Sequence, residues 1–275
     1  MEAKSSDVDR EKAAVCVLDA STYVGFWILK GLLARGYTVH AAIQENGETD
    51  IVKKVRDLER TEKRLMDKMV DFEVRGAINV VEACAQTGSI EKIVFSSSLS
   101  AAIWKENISE EKDVDEKSWS DQDFCRRMKG LNQLWYALSK TLSEQAAWAL
   151  AMDRTLNMVS INAGLVVGPG VAQQSPGVTM SYLKGAAEMY ENGVLALVDV
   201  NFLADVHIRA YENQSTCGRY FCFDQIVNTE EEALKLAQSL SPLIHIPRYE
   251  CQGTEVHAER LRNEKLNKLV EGTAC

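Results

Sequence analysis

Tyr136 and Lys140 stand four residues apart in a stretch, 134–153, that reads as one long helix, so their side chains share a face. A Lys ammonium beside a phenol stabilises the phenolate and lowers the phenol pKa from its ordinary value of about 10. A Tyr tuned in this way can pass a proton to a carbonyl oxygen. Ser98 follows 91–95 (EKIVF), at the C-terminal end of an expected strand, where its hydroxyl can hydrogen-bond the same oxygen. Ser97 is the neighbour most easily confused with it. A Tyr/Lys pair at this spacing is common helix decoration, so its meaning depends on the elements around it.

The first of those elements is a βαβ unit. Residues 13–18 (AAVCVL) are a short apolar run, as a strand buried on both faces should be. Residues 23–35 read as a helix with Val24, Trp27, Ile28 and Leu32 on one stripe and Gly36 as its stop. Residues 37–43 (YTVHAAI) read as a second, parallel strand. The turn Asp19-Ala20-Ser21-Thr22-Tyr23-Val24-Gly25 lies where a dinucleotide-binding fold holds a pyrophosphate against a helix N-terminus. Gly25 supplies the glycine for close helix–strand packing. Asp19 brings a negative charge to the turn, and Thr22 a β-branched side chain.

Further along, 45–70 reads as a solvated, highly charged helix. Residues 71–87 read as an amphipathic helix with Phe72, Val74, Ile78, Val81 and Ala85 near one face. Residues 91–95 and 156–161 are expected strands, and 104–130 is charged and irregular. The run 162–170 (NAGLVVGPG) has the composition of a loop. Beyond it come helix candidates at 180–190, 204–212 and 230–239, strand candidates at 193–200 and 218–223, and a charged, helix-like tail at 253–274.

Composition narrows the function classes. The 275 residues are 46% hydrophobic and 26% charged, which excludes a disordered chain and a disulfide miniprotein. Length over about 150 residues per domain gives one or two domains. The net charge of −9 argues against a duplex nucleic-acid partner. No run approaches the ~18 apolar residues of a membrane span, so no membrane partner is expected. The start, 1–12, is polar without a signal-peptide pattern, and the 7 Cys contain no CxxC pair; reduced thiols and a cytoplasmic location are expected. The four His have no metal-ligand spacing, and no metal is expected.

Taken in order, 20–25 (ASTYVG), 94–98 (VFSSS), 135–140 (WYALSK) and 162–169 (NAGLVVGP) resemble the extended short-chain dehydrogenase/reductases. The nearest branch is the plant cinnamoyl-CoA reductase-like and dihydroflavonol reductase-like one. Stretches 31–40, 115–125, 143–150 and 218–223 add to the resemblance, which covers nearly the whole chain. It implies an α/β fold: a doubly wound, Rossmann-type parallel sheet, here shortened. An NAD(P)-binding domain at 12–165 would be followed by a smaller substrate-binding region at 166–275. It also implies NAD(P)H-dependent reduction of a carbonyl or acyl-CoA thioester of phenylpropanoid type, with a small molecule as the partner and NADP(H) favoured over NAD(H). Carried over residue by residue, Ser98 polarises the substrate oxygen, Tyr136 is the general acid, and Lys140 holds the nicotinamide ribose and tunes Tyr136. The cofactor would further touch Asp19, Ala20, Ser21, Thr22, Tyr23, Val24, Gly25, Gln44, Ala163 and Val166. The oligomeric state is left open.

The chain departs from the family pattern in places that bear on activity. Asp19 and Thr22 replace early glycines, and Gln44 stands where an Arg commonly grips the 2′-phosphate of NADP. The stretch around Tyr136 lacks the Asn, Tyr and Cys of cinnamoyl-CoA reductase proper, and 130–133 looks like a small insertion. Between Ile43 and Glu91 no apolar strand run appears where the family has two strands, which places a join near 65–70. The gap closes if strand 91–95 pairs with 13–18, at the cost of moving Ser98 relative to Tyr136. The alternative to a reductase is therefore a catalytically impaired pseudoenzyme or truncated isoform that binds cofactor weakly or not at all.

Overall fold

The computed structural model describes residues 13–43, 62–106, 108, 113–128, 134–171, 176–183, 185–240 and 258–272. Strand β1 (Val15–Val17), helix α1 (Tyr23–Ala34) and strand β2 (Val39–Ala41) form the expected βαβ unit, with β1 and β2 parallel and Val15 opposite Val39. Thr22 starts α1 as its N-cap, its Oγ1 accepting from the Gly25 amide at 3.2 Å. Gly36, at φ 76°, turns the chain after the helix in a conformation that L side chains rarely adopt.

The other described residues build a second, larger body. Strands β3 (Ile93–Ser98), β4 (Met158–Ala163) and β7 (Gly218–Cys222) form a parallel sheet in the order β3-β4-β7. Its register sets Ser98 opposite Ala163 and Ala163 opposite Cys222, so the C-terminal ends of the three strands are level. Every residue of β4 is buried, as befits a central parallel strand. Helices α2 (Glu62–Gln86), α3 (Gln122–Arg127) and α4 (Leu134–Asp153) belong to this body. Helices α2 and α4 pack along each other, with small residues at the contact: Ala77 and Val81 meet Ala147 and Ala151. A smaller sheet joins β5 (Leu165–Val167) in parallel to β6 (Ala196–Asp199), and β6 antiparallel to β8 (Gln225–Ile226). Helices α5 (Pro176–Leu183), α6 (Ala186–Glu191), α7 (Val200–Glu212), α8 (Glu230–Leu240) and α9 (Glu264–Glu271) complete the described elements. Helix α7 joins the two bodies: Ile208 packs with Val17, Ala20 and Leu32 of the βαβ unit, and Asp205 pairs with Arg35.

The fold class is α/β, as the sequence implies, but several expectations are corrected. Among the described residues β1 does not pair with β3, so the sheet does not close across the missing strands; it remains two separate parallel pieces. With no neighbour on that side, β1 is not buried on both faces: Cys16 is exposed and Leu18 is 48% exposed. The charged and amphipathic segments on either side of the join merge into α2, which runs unbroken through 65–70. Its buried stripe is Ala77 and Val81, whereas Phe72 (65% exposed) and Ile78 face solvent. The small-residue stripe lets α2 approach α4 closely, which the bulkier one would prevent. Part of the expected loop 162–170 is strand β5, held by β6. The 104–130 stretch holds α3, capped by Asp121, whose carboxylate accepts from the Phe124 amide at 2.8 Å. Helix α7 starts earlier than expected because Asp199 caps it, accepting from the Asn201 and Phe202 amides.

Candidate active site

Ser98 ends β3 in extended backbone and is 3% exposed. Its Oγ accepts from the Ser100 amide at 3.2 Å, capping the turn Leu99–Ala101 that packs against α4. This leaves the Ser98 hydroxyl proton with no acceptor among the described residues. Ser97 is committed elsewhere: its Oγ donates to Glu144 Oε2 at 2.7 Å. The geometry therefore separates the two serines that the sequence leaves adjacent.

Tyr136 and Lys140 do share a face of α4, with the Lys140 ammonium 5.6 Å from the Tyr136 ring centroid. The nearest charge to Lys140 was not foreseen. Glu73, on α2, pairs with Lys140 through Oε1, while its Oε2 accepts from Ser139 Oγ at 2.9 Å. Burial by itself lowers the Lys140 pKa, but Glu73, and after it Tyr136 and Glu144, outweigh burial and hold the ammonium above its ordinary value. No local signal marks Glu73; it is one acid among many in a charged helix, and packing alone selects it.

A buried polar network backs the strand ends. Glu144, fully buried, accepts from Arg219 Nε at 2.9 Å, from Asn162 Nδ2 at 2.7 Å and from Ser97. Arg219 also donates to the Glu116 carbonyl at 3.1 Å and stacks 3.7 Å from the Trp119 ring centroid. The network ties β3, β4, β7 and α4 together one residue from Ser98. Across the site lies Tyr182 of α5, 5% exposed, its hydroxyl without a hydrogen-bond partner among the described residues. Burial, and next the neighbouring Tyr136, push its pKa well up. No motif in the sequence marks Tyr182.

At the expected cofactor turn, Asp19 adopts φ 52°, a conformation Asp tolerates better than most side chains. Its carbonyl accepts from the Thr22 amide at 2.9 Å and from Thr22 Oγ1 at 2.8 Å. A Cβ at Gly25 would lie 2.4 Å from that carbonyl, so only glycine fits. Ala20 is buried and Ser21 exposed. Tyr23 donates to the Pro169 carbonyl at 3.2 Å, which tethers the helix N-terminus to the loop after β5. Burial, and next Asp199, raise the Tyr23 pKa. Tyr23, Val24 and Val166 meet in one apolar cluster with Val171 and Val200. Ala163 is level with Ser98 across the sheet. The structure thus gathers Tyr23, Val24 and Val166 at one place and Ser98 and Ala163 at another; Gln44 lies outside the described residues. Among the described residues no group of three or more His, Cys, Asp or Glu is placed to hold a metal ion, and no helix is long and apolar enough to cross a membrane.

Comparison with known proteins places these features in context. The NAD-binding family described as Male sterility protein matches residues 25–207. Cinnamoyl-CoA reductase 1 of Petunia hybrida is 30% identical over 294 residues, covering 93% of this chain and 86% of that protein. Among solved structures, vestitone reductase from alfalfa superposes with a TM-score of 0.67 at 23% identity, covering 94% of this chain and 92% of that one. A yeast methylglyoxal/isovaleraldehyde reductase complexed with NADPH superposes with a TM-score of 0.65 at 16% identity, covering 94% and 93%.

Proposed function

This chain belongs to the NAD-binding family described as Male sterility protein, and with it to the extended short-chain dehydrogenase/reductases of the cinnamoyl-CoA reductase-like branch; from that premise we propose that it is an NADPH-dependent reductase of a phenylpropanoid-type carbonyl or acyl-CoA thioester. The observation that carries this reading is the placement of Tyr136 and Lys140 on one face of α4, beside the strand end that presents Ser98. The turn at α1 retains the shape a dinucleotide needs: a glycine-only approach at Gly25 and a left-handed residue at Asp19. These residues would hold a nicotinamide dinucleotide, with Asp19, Ala20, Ser21, Thr22, Tyr23, Val24 and Gly25, and Val166 packed beside Tyr23 and Val24, toward its phosphates, and Lys140 and Ala163 toward its nicotinamide. The cofactor, when bound, supplies the hydride.

In this reading Ser98 donates its unused hydroxyl proton to the substrate oxygen and holds that oxygen toward Tyr136. Tyr136 transfers a proton to the oxygen as the carbonyl carbon is reduced. Lys140 orients the ribose and steadies the phenolate that remains. Tyr182, with its partnerless phenol, belongs to the substrate side, together with the remainder of 166–275. NADPH rather than NADH is proposed from the resemblance to the family, although Gln44 stands where an Arg commonly grips the 2′-phosphate of NADP. A cytoplasmic location and a small-molecule partner complete the proposal.

A thermal-shift titration with NADPH, and with NADH as comparator, tests this. Ligand at 100 times its dissociation constant adds about 2.7 kcal/mol of stability. Reduction of a phenylpropanoid aldehyde or thioester should then fall roughly 10²- to 10⁴-fold in Tyr136→Phe. One observation favours a second reading, a non-catalytic relative: among the described residues β1 and β3 do not pair with each other. A cooperative transition indifferent to both cofactors would establish that second reading and sink the first.

A further inference from the structure

We propose that Glu73 is a charge gate on the cofactor site: by occupying Lys140 it weakens this chain's grip on an anionic dinucleotide. The inference rests on the reductase reading above and adds a residue that the reading does not contain. Glu73 is held by α4 at both oxygens, by Lys140 at one and by Ser139 Oγ, 2.9 Å away, at the other. The side chains of Lys140 and Glu73 are 23% and 34% exposed, so water screens the pair only in part. A paired ammonium has little net field beyond its partner, and it is the field that draws in a phosphate-bearing ligand. The cofactor turn offers no relief, because Asp19 puts a carboxylate there and the chain as a whole carries −9.

The other charged and titratable groups facing Lys140 do not take over this role. Tyr136 lies one helical turn before it, and Glu144 one turn after. Glu144 is neutralised by Arg219 and hydrogen-bonded by Ser97 and Asn162. Tyr182, from α5, faces Tyr136. With Glu144 compensated by Arg219, Glu73 is the carboxylate that offsets the Lys140 charge, and α2 delivers it by packing along α4. Glu73 is a positioning residue, acting on the ligand only through the Lys140 charge.

Glu73→Gln keeps the shape and an acceptor for Ser139 while removing the charge. The NADPH dissociation constant, read by quenching of Trp fluorescence, should fall roughly fivefold at low ionic strength. That gain should shrink at about 0.5 M salt, where charges are screened within a few ångströms. Glu73→Asp should behave like the parent chain. Mass-spectrometric acylation of Lys140, which needs no cofactor, should be faster in Glu73→Gln, because loss of the carboxylate frees more neutral amine. A sign of this kind separates gating from scaffolding, since a lost structural contact weakens binding. Equal or weaker NADPH binding by Glu73→Gln, or a gain indifferent to salt, overturns the gate and leaves the reductase reading intact. Unchanged Lys140 acylation overturns the pair itself. NADPH and NADH both failing to bind either protein at millimolar concentration overturns the reductase reading and the gate with it.

Discussion

The βαβ unit of residues 13–43 and the body built on β3, β4 and β7 are made of the same element types, yet they are packed differently. In the body, β4 is buried at all six positions, and its C-terminal end is held through Asn162 by an ion pair, Glu144–Arg219, that is 0% and 7% exposed. In the unit, β1 and β2 are three residues each, Cys16 is exposed, and Phe26 and Leu33 of α1 are 50% and 56% exposed. The unit reaches the rest of the molecule chiefly through α7, by Ile208 and the Arg35–Asp205 pair, whose side chains are about one-third exposed. A parallel strand is stable when neighbours cover both edges and helices cover both faces. Where the family has strands between β2 and β3, the described part of this chain has helix α2, and β1 is the strand left bare. Among the described residues, the β3-β4-β7 body keeps strand neighbours on both sides of β4, whereas β1 has only β2.

The sharpest way to break this comparison is to cut one ion pair in each region. Glu144→Ala leaves Arg219 buried and unpaired, and should cost about 3–5 kcal/mol in urea-induced unfolding. Arg35→Ala in the unit should cost less than about 1 kcal/mol by the same measurement, because its pair is partly solvated. Similar losses at the two sites would mean that the two regions are equally well packed.

Between them stands His207, on the helix that joins the regions. It is buried, its Nδ1–H donates to the Leu203 carbonyl at 2.8 Å, and burial pushes its pKa down to about 4. The unfolded chain protonates His207 near pH 6.5, whereas the folded chain does so only near 4. Above pH 6.5 the group is neutral in both states and contributes no slope. As the pH falls from 6.5 to 4, stability should drop by up to about 3 kcal/mol. A pH series of unfolding curves checks this, and His207→Leu should flatten it over that window.

A comparably small effect should come from the turn before α1. Thr22→Ala removes the cap of α1 and should cost about 1 kcal/mol. Native-state hydrogen exchange should show that loss in α1 and β1 while the amides of β4 are unmoved. Exchange of β4 rising in step with β1 would show one cooperative unit instead of two unequal ones.

Much of the body was legible because its signals are local. The expected strands at 91–95, 156–161 and 218–223 became β3, β4 and β7, and the long helix carrying Tyr136 and Lys140 formed as expected. The βαβ unit was legible as elements but not as packing. The run at 13–18 has the composition of a doubly covered strand, and composition does not reveal that the cover is gone. The site was legible only where its residues lie close in sequence. Glu73 and Lys140 are 67 residues apart, and Glu144 and Arg219 are 75 apart. No spacing rule relates such pairs.

The sequence by itself determined the element types, the α/β class, the Tyr136/Lys140 face and the position of Ser98 at a strand end, because side-chain period and apolar runs act over a few residues. It also showed no apolar strand run between Ile43 and Glu91. Tertiary structure alone decided that the gap stays open, that Ser97 is consumed by Glu144 while Ser98 keeps its proton, and that Lys140 meets Glu73. Those outcomes depend on which surfaces of distant elements can approach each other. Here the small residues between α2 and α4 admitted a close approach, and a carboxylate came with it.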